Sequence, residues 1–336
     1  MNGTRTMTQN APSTERTILI VDDEVNVINA VKRELHGVTF AHQSLVVEGF
    51  TDPREALVRA KEKTFDLVIS DYRMPEMDGL EFLKAYAAIQ PDSARLVLSG
   101  QTDFASLTRM INETHIYRFI PKPWTEYFLK SSLFQALRLQ DAIRQNQQLA
   151  SIVRHHGLDT STLLPPGRDL ILIVDDDVNV LNALSRDLTH HSTLDDIFSS
   201  VRSEMGHHHP GAKLEEDKIS IQISTSPIHA LKMADAVSFS CIIADYRMPE
   251  MDGITLLEKF MEAQPDCERI LISGEASTEN LVNALDLAHI FSYIGKPWVD
   301  FEVKTSVAQA LQHRRIALEN RILAEMLRAK DIDLVS

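Results

Sequence analysis

The chain has 336 residues, enough for two domains of ordinary size, with 44% hydrophobic and 24% charged residues, the balance of a globular protein. A net charge of −14, without a Lys/Arg cluster interleaved with aromatics, argues against nucleic-acid binding. No apolar run approaches the roughly 18 residues that a membrane span requires, and two cysteines in unrelated contexts, Cys241 and Cys267, exclude a disulfide framework and point to a reducing cytoplasm.

In chain order, residues 1–16 are polar, lack the apolar stretch of a secretory signal, and read as a disordered leader. Short β-rich runs follow at 17–22, 45–50, 66–71, 95–99 and 117–121, with helical periodicity between them, for example from Val25 to Leu35 and from Leu80 to Ala88. A long helical stretch from Glu126 to about His155 has an apolar face of Leu133, Leu137, Leu139, Ile143, Leu149 and Ile152, and ends at Gly157 and Pro165-Pro166.

The pattern then repeats. Ile18 to Asp23 recurs as Ile171 to Asp176, and the nine residues from Asp71 to Gly79 recur unchanged as Asp245 to Gly253. Leu98-Ser99-Gly100 is matched by Ile272-Ser273-Gly274, and Lys122-Pro123-Trp124 by Lys296-Pro297-Trp298. The offset is 153 at the first motif and 174 at the later ones, so the second copy carries 21 extra residues. These fall in an insert at about 189–218, whose His190, His191, His207, His208 and His209 read as a surface loop rather than a metal site. The resulting plan is a leader (1–16), a first domain (17–140), a helix extension and linker (141–169), a second domain (170–315) and a helical tail (316–336).

Five strands alternating with crossover helices imply an α/β fold with a doubly wound parallel sheet in each copy, covered on both faces. Such sheets bind ligands beyond the C-terminal ends of their strands. The polar motif residues fall there: Asp22 and Asp23, Asp71, Ser99 and Lys122 in the first copy, and Asp175 and Asp176, Asp245, Ser273 and Lys296 in the second. Close carboxylates repel unless a cation intervenes, and an all-oxygen set with vacancies suits Mg²⁺. An aspartate can attack a phosphoryl group and become an aspartyl phosphate, with Mg²⁺ and the lysine holding its oxygens and the serine engaging afterwards. Each motif alone would pass for a helix cap or a turn. Five in the expected order, twice over, do not.

At these residues both halves resemble response-regulator receiver domains of bacterial two-component systems, CheY-like and flavodoxin-like in fold. The resemblance spans about 17–140 and 170–315 and implies a sheet order of 2-1-3-4-5, carried over from the family. It implies that Asp71 and Asp245 are phosphoacceptors, that Asp22, Asp23, Asp175 and Asp176 bind Mg²⁺ together with the acceptors and the backbone carbonyls of Arg73 and Arg247, and that Ser99, Ser273, Lys122 and Lys296 complete the sites. Phe119 and Tyr293 match the switch aromatic, and the Lys-Pro bonds match a cis peptide. Asp177 stands where the first copy has Glu24, and Glu275 where it has Gln101.

The expected protein is a cytoplasmic phosphorelay regulator without a recognisable output domain, and not an enzyme acting on external substrates. A sensor histidine kinase or phosphotransfer protein would supply phosphate, with no nucleic-acid or membrane partner. One receiver acting only as a docking module, or an aspartate-nucleophile phosphohydrolase, are the alternatives. The second long helix, from about Phe301 to Lys330, is like the first in having no clean heptad, with Asn146 and Arg315 as interruptions. A homodimer through the extended helices is expected, with intra- and intermolecular pairing both left open.

Overall fold

A computed structural model describes residues 15–100, 114, 116–124, 126–158, 168–189, 219–274, 289–298, 300–330 and 332, without the side chains of 126, 127 and 301. Residues 1–14 of the leader, the histidines of the insert, Gln101 and Glu275 lie outside them. The chain divides into two units, 1–137 and 138–336.

In the first unit the order is β1 (Glu15–Val21), α1 (Val25–Leu35), β2 (Thr39–Phe40), β3 (Gln43–Phe50), α2 (Pro53–Glu62), β4 (Leu67–Asp71), α3 (Gly79–Ile89), β5 (Ala94–Ser99) and β6 (Arg118–Pro121), leading into α4 (Glu126–His155). The sheet runs β2-β3-β1-β4-β5-β6, parallel except for β2. Ile18, Leu19, Ile20 and Val21 are all fully buried, as helices on both faces require. Helix α1 turns Ile28, Val31 and Leu35 to the core. Asp52 and Asp78 cap α2 and α3 by accepting the amides of Arg54 and Glu81.

Strand β2 is an addition to the five expected strands. It pairs antiparallel with β3 across a two-residue turn in which Ala41 and His42 both have positive φ, 48° and 66°. Such hairpin turns normally announce themselves with Asn or Gly, and neither residue occurs here. Only the packing of Phe40, 7% exposed, reveals the strand.

The second unit repeats the plan with β7 (Leu170–Val174), α5 (Val178–Thr189), β8 (Ser220–Ser224), α6 (Pro227–Ala236), β9 (Cys241–Asp245), α7 (Gly253–Ala263), β10 (Glu268–Ser273), β11 (Ser292–Gly295) and α8 (Asp300–Arg328). Its five strands are ordered β11-β10-β9-β7-β8, all parallel, which is 2-1-3-4-5 read from the other edge. Both cysteines are buried and free.

This unit begins at Arg138, within α4. The distal part of α4 therefore packs as part of the second unit, where Leu149, Ala150 and Val153 cluster with Leu323 and Leu327 of α8. Of the apolar face anticipated on α4, Leu133, Leu137, Leu139 and Leu149 are buried, while Ile143 and Ile152 are half-buried.

Candidate phosphoacceptor sites

Each site is built where β1, β4 and β6, or their counterparts β7, β9 and β11, end. In the first, Lys122 Nζ lies 2.7 Å from Asp22 Oδ2 and 2.5 Å from Asp71 Oδ1. In the second, Lys296 Nζ lies 2.8 Å from Asp175 Oδ2 and 2.5 Å from Asp245 Oδ1. The two triangles agree to within 0.1 Å.

Backbone amides hold the acids in place. Glu24 N donates to Asp22 Oδ1 at 3.0 Å and Asp177 N to Asp175 Oδ1 at 2.9 Å. Arg73 N donates to Asp71 Oδ2 and Arg247 N to Asp245 Oδ2, both at 2.7 Å. The free oxygen of each acceptor thus points at the lysine and the other is fixed by the turn. That turn is tight: Gly79 N donates to Tyr72 O, and Gly253 N to Tyr246 O, at 2.9 Å.

The amide of Lys122 donates to Ser99 O at 2.8 Å and that of Lys296 to Ser273 O at 2.7 Å, which ties the serine-bearing strand end to the lysine. Both lysines precede cis prolines, Pro123 and Pro297. Ser99 and Ser273 are buried. Phe119 and Tyr293 are half-buried on β6 and β11, and Tyr293 Oη donates to Ser273 O at 3.2 Å.

Two carboxylates, rather than three, meet at each ammonium. Asp22 is fully buried and Asp23 exposed; Asp175 and Asp176 divide the same way. Consecutive residues of an extended segment point to opposite sides, so a tandem pair cannot turn both side chains toward one lysine.

Burial pushes the Asp22 and Asp175 carboxyls above their usual range, against the pull of the lysines. Burial also opposes the charge on Lys122 and Lys296, but hydrogen bonds to the two acids outweigh it and hold the ammonium more firmly charged. The partners shift the same way although each favours the other's charge. The carboxyl shift comes chiefly from burial, with a smaller push from the neighbouring acid, and the lysine shift from its two short bonds.

Among the described residues no three His, Cys, Asp or Glu side chains stand close enough to cage a metal. Asp22 and Asp71 instead bring carboxylate oxygens to one lysine beside exposed Asp23, a sparse, oxygen-only pair to which the resemblance would add the Arg73 carbonyl. That fits Mg²⁺, which keeps several waters and takes one or two carboxylates. Asp175 and Asp245 repeat the pair at Lys296, with Asp176 exposed beside them and the Arg247 carbonyl the counterpart of that of Arg73. The side chain of Arg73 is exposed.

The tryptophan of each Lys-Pro-Trp motif is an anchor that motif spacing did not reveal. Trp124 Nε1 donates to Glu34 of α1 at 3.0 Å, and Trp298 Nε1 to Asp187 of α5 at 3.1 Å. The lysine-bearing loop is thereby fastened to the helix that follows the acid pair. The only sequence signal was that the tryptophan is kept in both copies.

The family model for the response regulator receiver domain matches residues 18–134 and 211–308. Hydrogenase transcriptional regulatory protein HoxA of Cupriavidus necator is 33% identical over 126 residues, 38% of this chain and 25% of that protein. C4-dicarboxylate transport transcriptional regulatory protein DctD of Rhizobium meliloti is 28% identical over 173 residues, 50% of this chain and 36% of that protein. The chain thus spans about a quarter to a third of the length of these curated relatives. Among solved structures, the signal receiver domain of an HD domain-containing protein from Pseudomonas fluorescens is 31% identical, covering 38% of this chain and 98% of that one, with a TM-score of 0.35. Chemotaxis protein CheY4 of Vibrio cholerae is 29% identical, covering 35% and 96%, with a TM-score of 0.32.

Proposed function

The chain belongs to the response regulator receiver family, matched in both of its halves, and from that premise we propose that it accepts phosphoryl groups on Asp71 and Asp245. The donor is a sensor histidine kinase or a phosphotransfer protein. The output is a change in protein contacts in the cytoplasm rather than turnover of an external substrate.

The observation that carries this reading is the duplicated triangle. Each acceptor presents one carboxylate oxygen to a lysine at 2.5 Å and has the other fixed by a backbone amide at 2.7 Å. The carboxylate is held in one orientation, so little entropy is lost on attack. Its oxygen forms a bond to phosphorus as the bond from phosphorus to the donor's leaving atom breaks, and the donor departs with that electron pair. Lys122 or Lys296 stands beside the oxygen that becomes the bridge of the acyl phosphate and can bond the incoming phosphoryl group. Mg²⁺, when bound, supplies charge neutralisation for the phosphoryl oxygens. Ser99 and Ser273 are joined to the lysine strand through their carbonyls, and in this reading their hydroxyls follow the new dianion. In both copies a tyrosine and an arginine follow the acceptor. Neither is the carboxylic acid that a phosphohydrolase would place there to protonate a leaving group.

The test is to incubate wild type, Asp71→Asn and Asp245→Asn with Mg²⁺ and an acyl phosphate and count phosphoryl groups by intact mass. Wild type is expected to gain two and each variant one. A chain labelled neither by the acyl phosphate nor by a phosphohistidine donor overturns the proposal.

A further inference from the structure

The distal half of α4 and the end of α8 lie side by side within the second unit. Asn320 Nδ2 donates to Ala142 O at 2.9 Å and lies 3.4 Å from Gln145 Oε1. Further along both helices, Leu149, Ala150 and Val153 pack with Leu323 and Leu327. Contacts advance in the same direction on each helix, so the pair is parallel. The 174-residue offset of the repeat relates Asn146 to Asn320, Leu149 to Leu323 and Val153 to Leu327. Spacings of three and four residues are the a–d–a steps of a heptad seam. Asn320 bonds to Ala142 and Gln145, in the turn just before Asn146, as an a-position side chain does in an in-register parallel pair.

Asn146, which breaks the apolar pattern in the sequence, belongs to that seam. Its Nδ2 is buried with no hydrogen-bond partner among the described residues, and so is Oδ1 of Asn320. One orphan is a donor and the other an acceptor, on equivalent residues of paired helices. Each is the group that the other lacks.

We propose that Asn146 and Asn320 pair across the seam and lock α4 and α8 into a parallel, in-register, two-stranded coiled coil within one chain. A buried asparagine at an a position fixes register and strand number. A staggered or antiparallel arrangement would set each amide against leucine or valine and leave it unpaired. Two strands on one polypeptide also meet at high effective concentration, which favours closure within the chain over exchange between chains.

Leu149→Cys with Leu323→Cys, in the full chain, reads the pairing directly, because Cys241 and Cys267 are buried. Under mild oxidation a disulfide within one chain is expected, seen at single-chain mass on non-reducing gels. Asn146→Leu with Asn320→Leu is expected to raise the number of chains per particle as concentration rises, measured by light scattering. Each single Asn→Leu variant is expected to unfold at lower urea than the double, because it strands one buried amide. A disulfide formed between chains overturns the proposal. So does a double variant that keeps the wild-type particle mass throughout, or single variants no less stable than the double.

Discussion

A Cβ on Gly253 would stand 2.1 Å from the carbonyl oxygen of Asp245, and one on Gly79 would stand 2.2 Å from that of Asp71. The carbonyls are backbone and cannot move aside. The equal length of the Asp-to-Gly segment in both copies thus records a close approach: the start of α3 or α7 sits against the acceptor residue. Gly79→Ala and Gly253→Ala should each destabilise their own unit by about 3 kcal/mol, the upper range for overpacking. Urea unfolding of the full chain should show one transition moved and the other in place.

Replacing Lys122 by Met removes the ammonium that bridges Asp22 and Asp71. Labelling of Asp71 by an acyl phosphate should fall roughly tenfold or more, while Asp245 labels at its normal rate. Peptide mapping after phosphorylation separates the two, and equal labelling at both sites would refute a role for the lysine.

The chain has two tryptophans, one beside each site. Trp298→Phe leaves Trp124, two residues beyond Lys122 and bonded to Glu34. Its fluorescence should respond to Mg²⁺ and acyl phosphate, and Asp71→Asn should abolish the phosphate response. Trp124→Phe should give the same readout for the second site. A response unaffected by loss of the neighbouring aspartate would show that the indole does not sense phosphorylation.

Gln264 spans three backbone groups: its Oε1 accepts from Phe239 N at 2.7 Å, and its Nε2 donates to Ala234 O at 2.7 Å and Val237 O at 2.6 Å. Gln90 makes the same three bonds, to Phe65 N, Ala60 O and Lys63 O. Gln264→Ala orphans all three and should cost about 2–3 kcal/mol in chemical denaturation.

Glu48 is bonded to Arg59 at 2.8 Å and Lys63 at 2.7 Å. The hydrogen bond from Arg59, with that from Lys63, lowers its pKa from 4.5 to about 2. A carboxyl depressed on folding contributes stability that is complete above its unfolded pKa and lost as pH falls through the folded one. The stability difference between wild type and Glu48→Gln should therefore be constant near neutrality, shrink below about pH 4.5 and vanish near about pH 2. A difference that persists at the acid end would refute this.

Much of the fold and both sites was legible because the chain states them twice. The repeats at Asp71 to Gly79 and Lys122 to Trp124 exposed motifs that a single copy would have hidden among caps and turns. Fully buried strands such as Ile18 to Val21 show as unbroken apolar runs, and polar residues at their ends mark the ligand edge of a parallel sheet.

Composition, periodicity and spacing determined the two doubly wound domains and the residues at their strand ends, since burial on both faces and crossover helices leave a local trace. Tertiary structure decided the rest, because those choices depend on which groups meet across the fold. It placed Asp22 and Asp175 inside while Asp23 and Asp176 stayed exposed. It fastened Trp124 to Glu34, and it added β2 through a turn without turn residues. It also set Asn146 beside the contact between α4 and α8: along one helix a lone polar residue only interrupts the stripe, and it takes the facing helix, where Asn320 donates to Ala142 O, to bring a second asparagine to that contact.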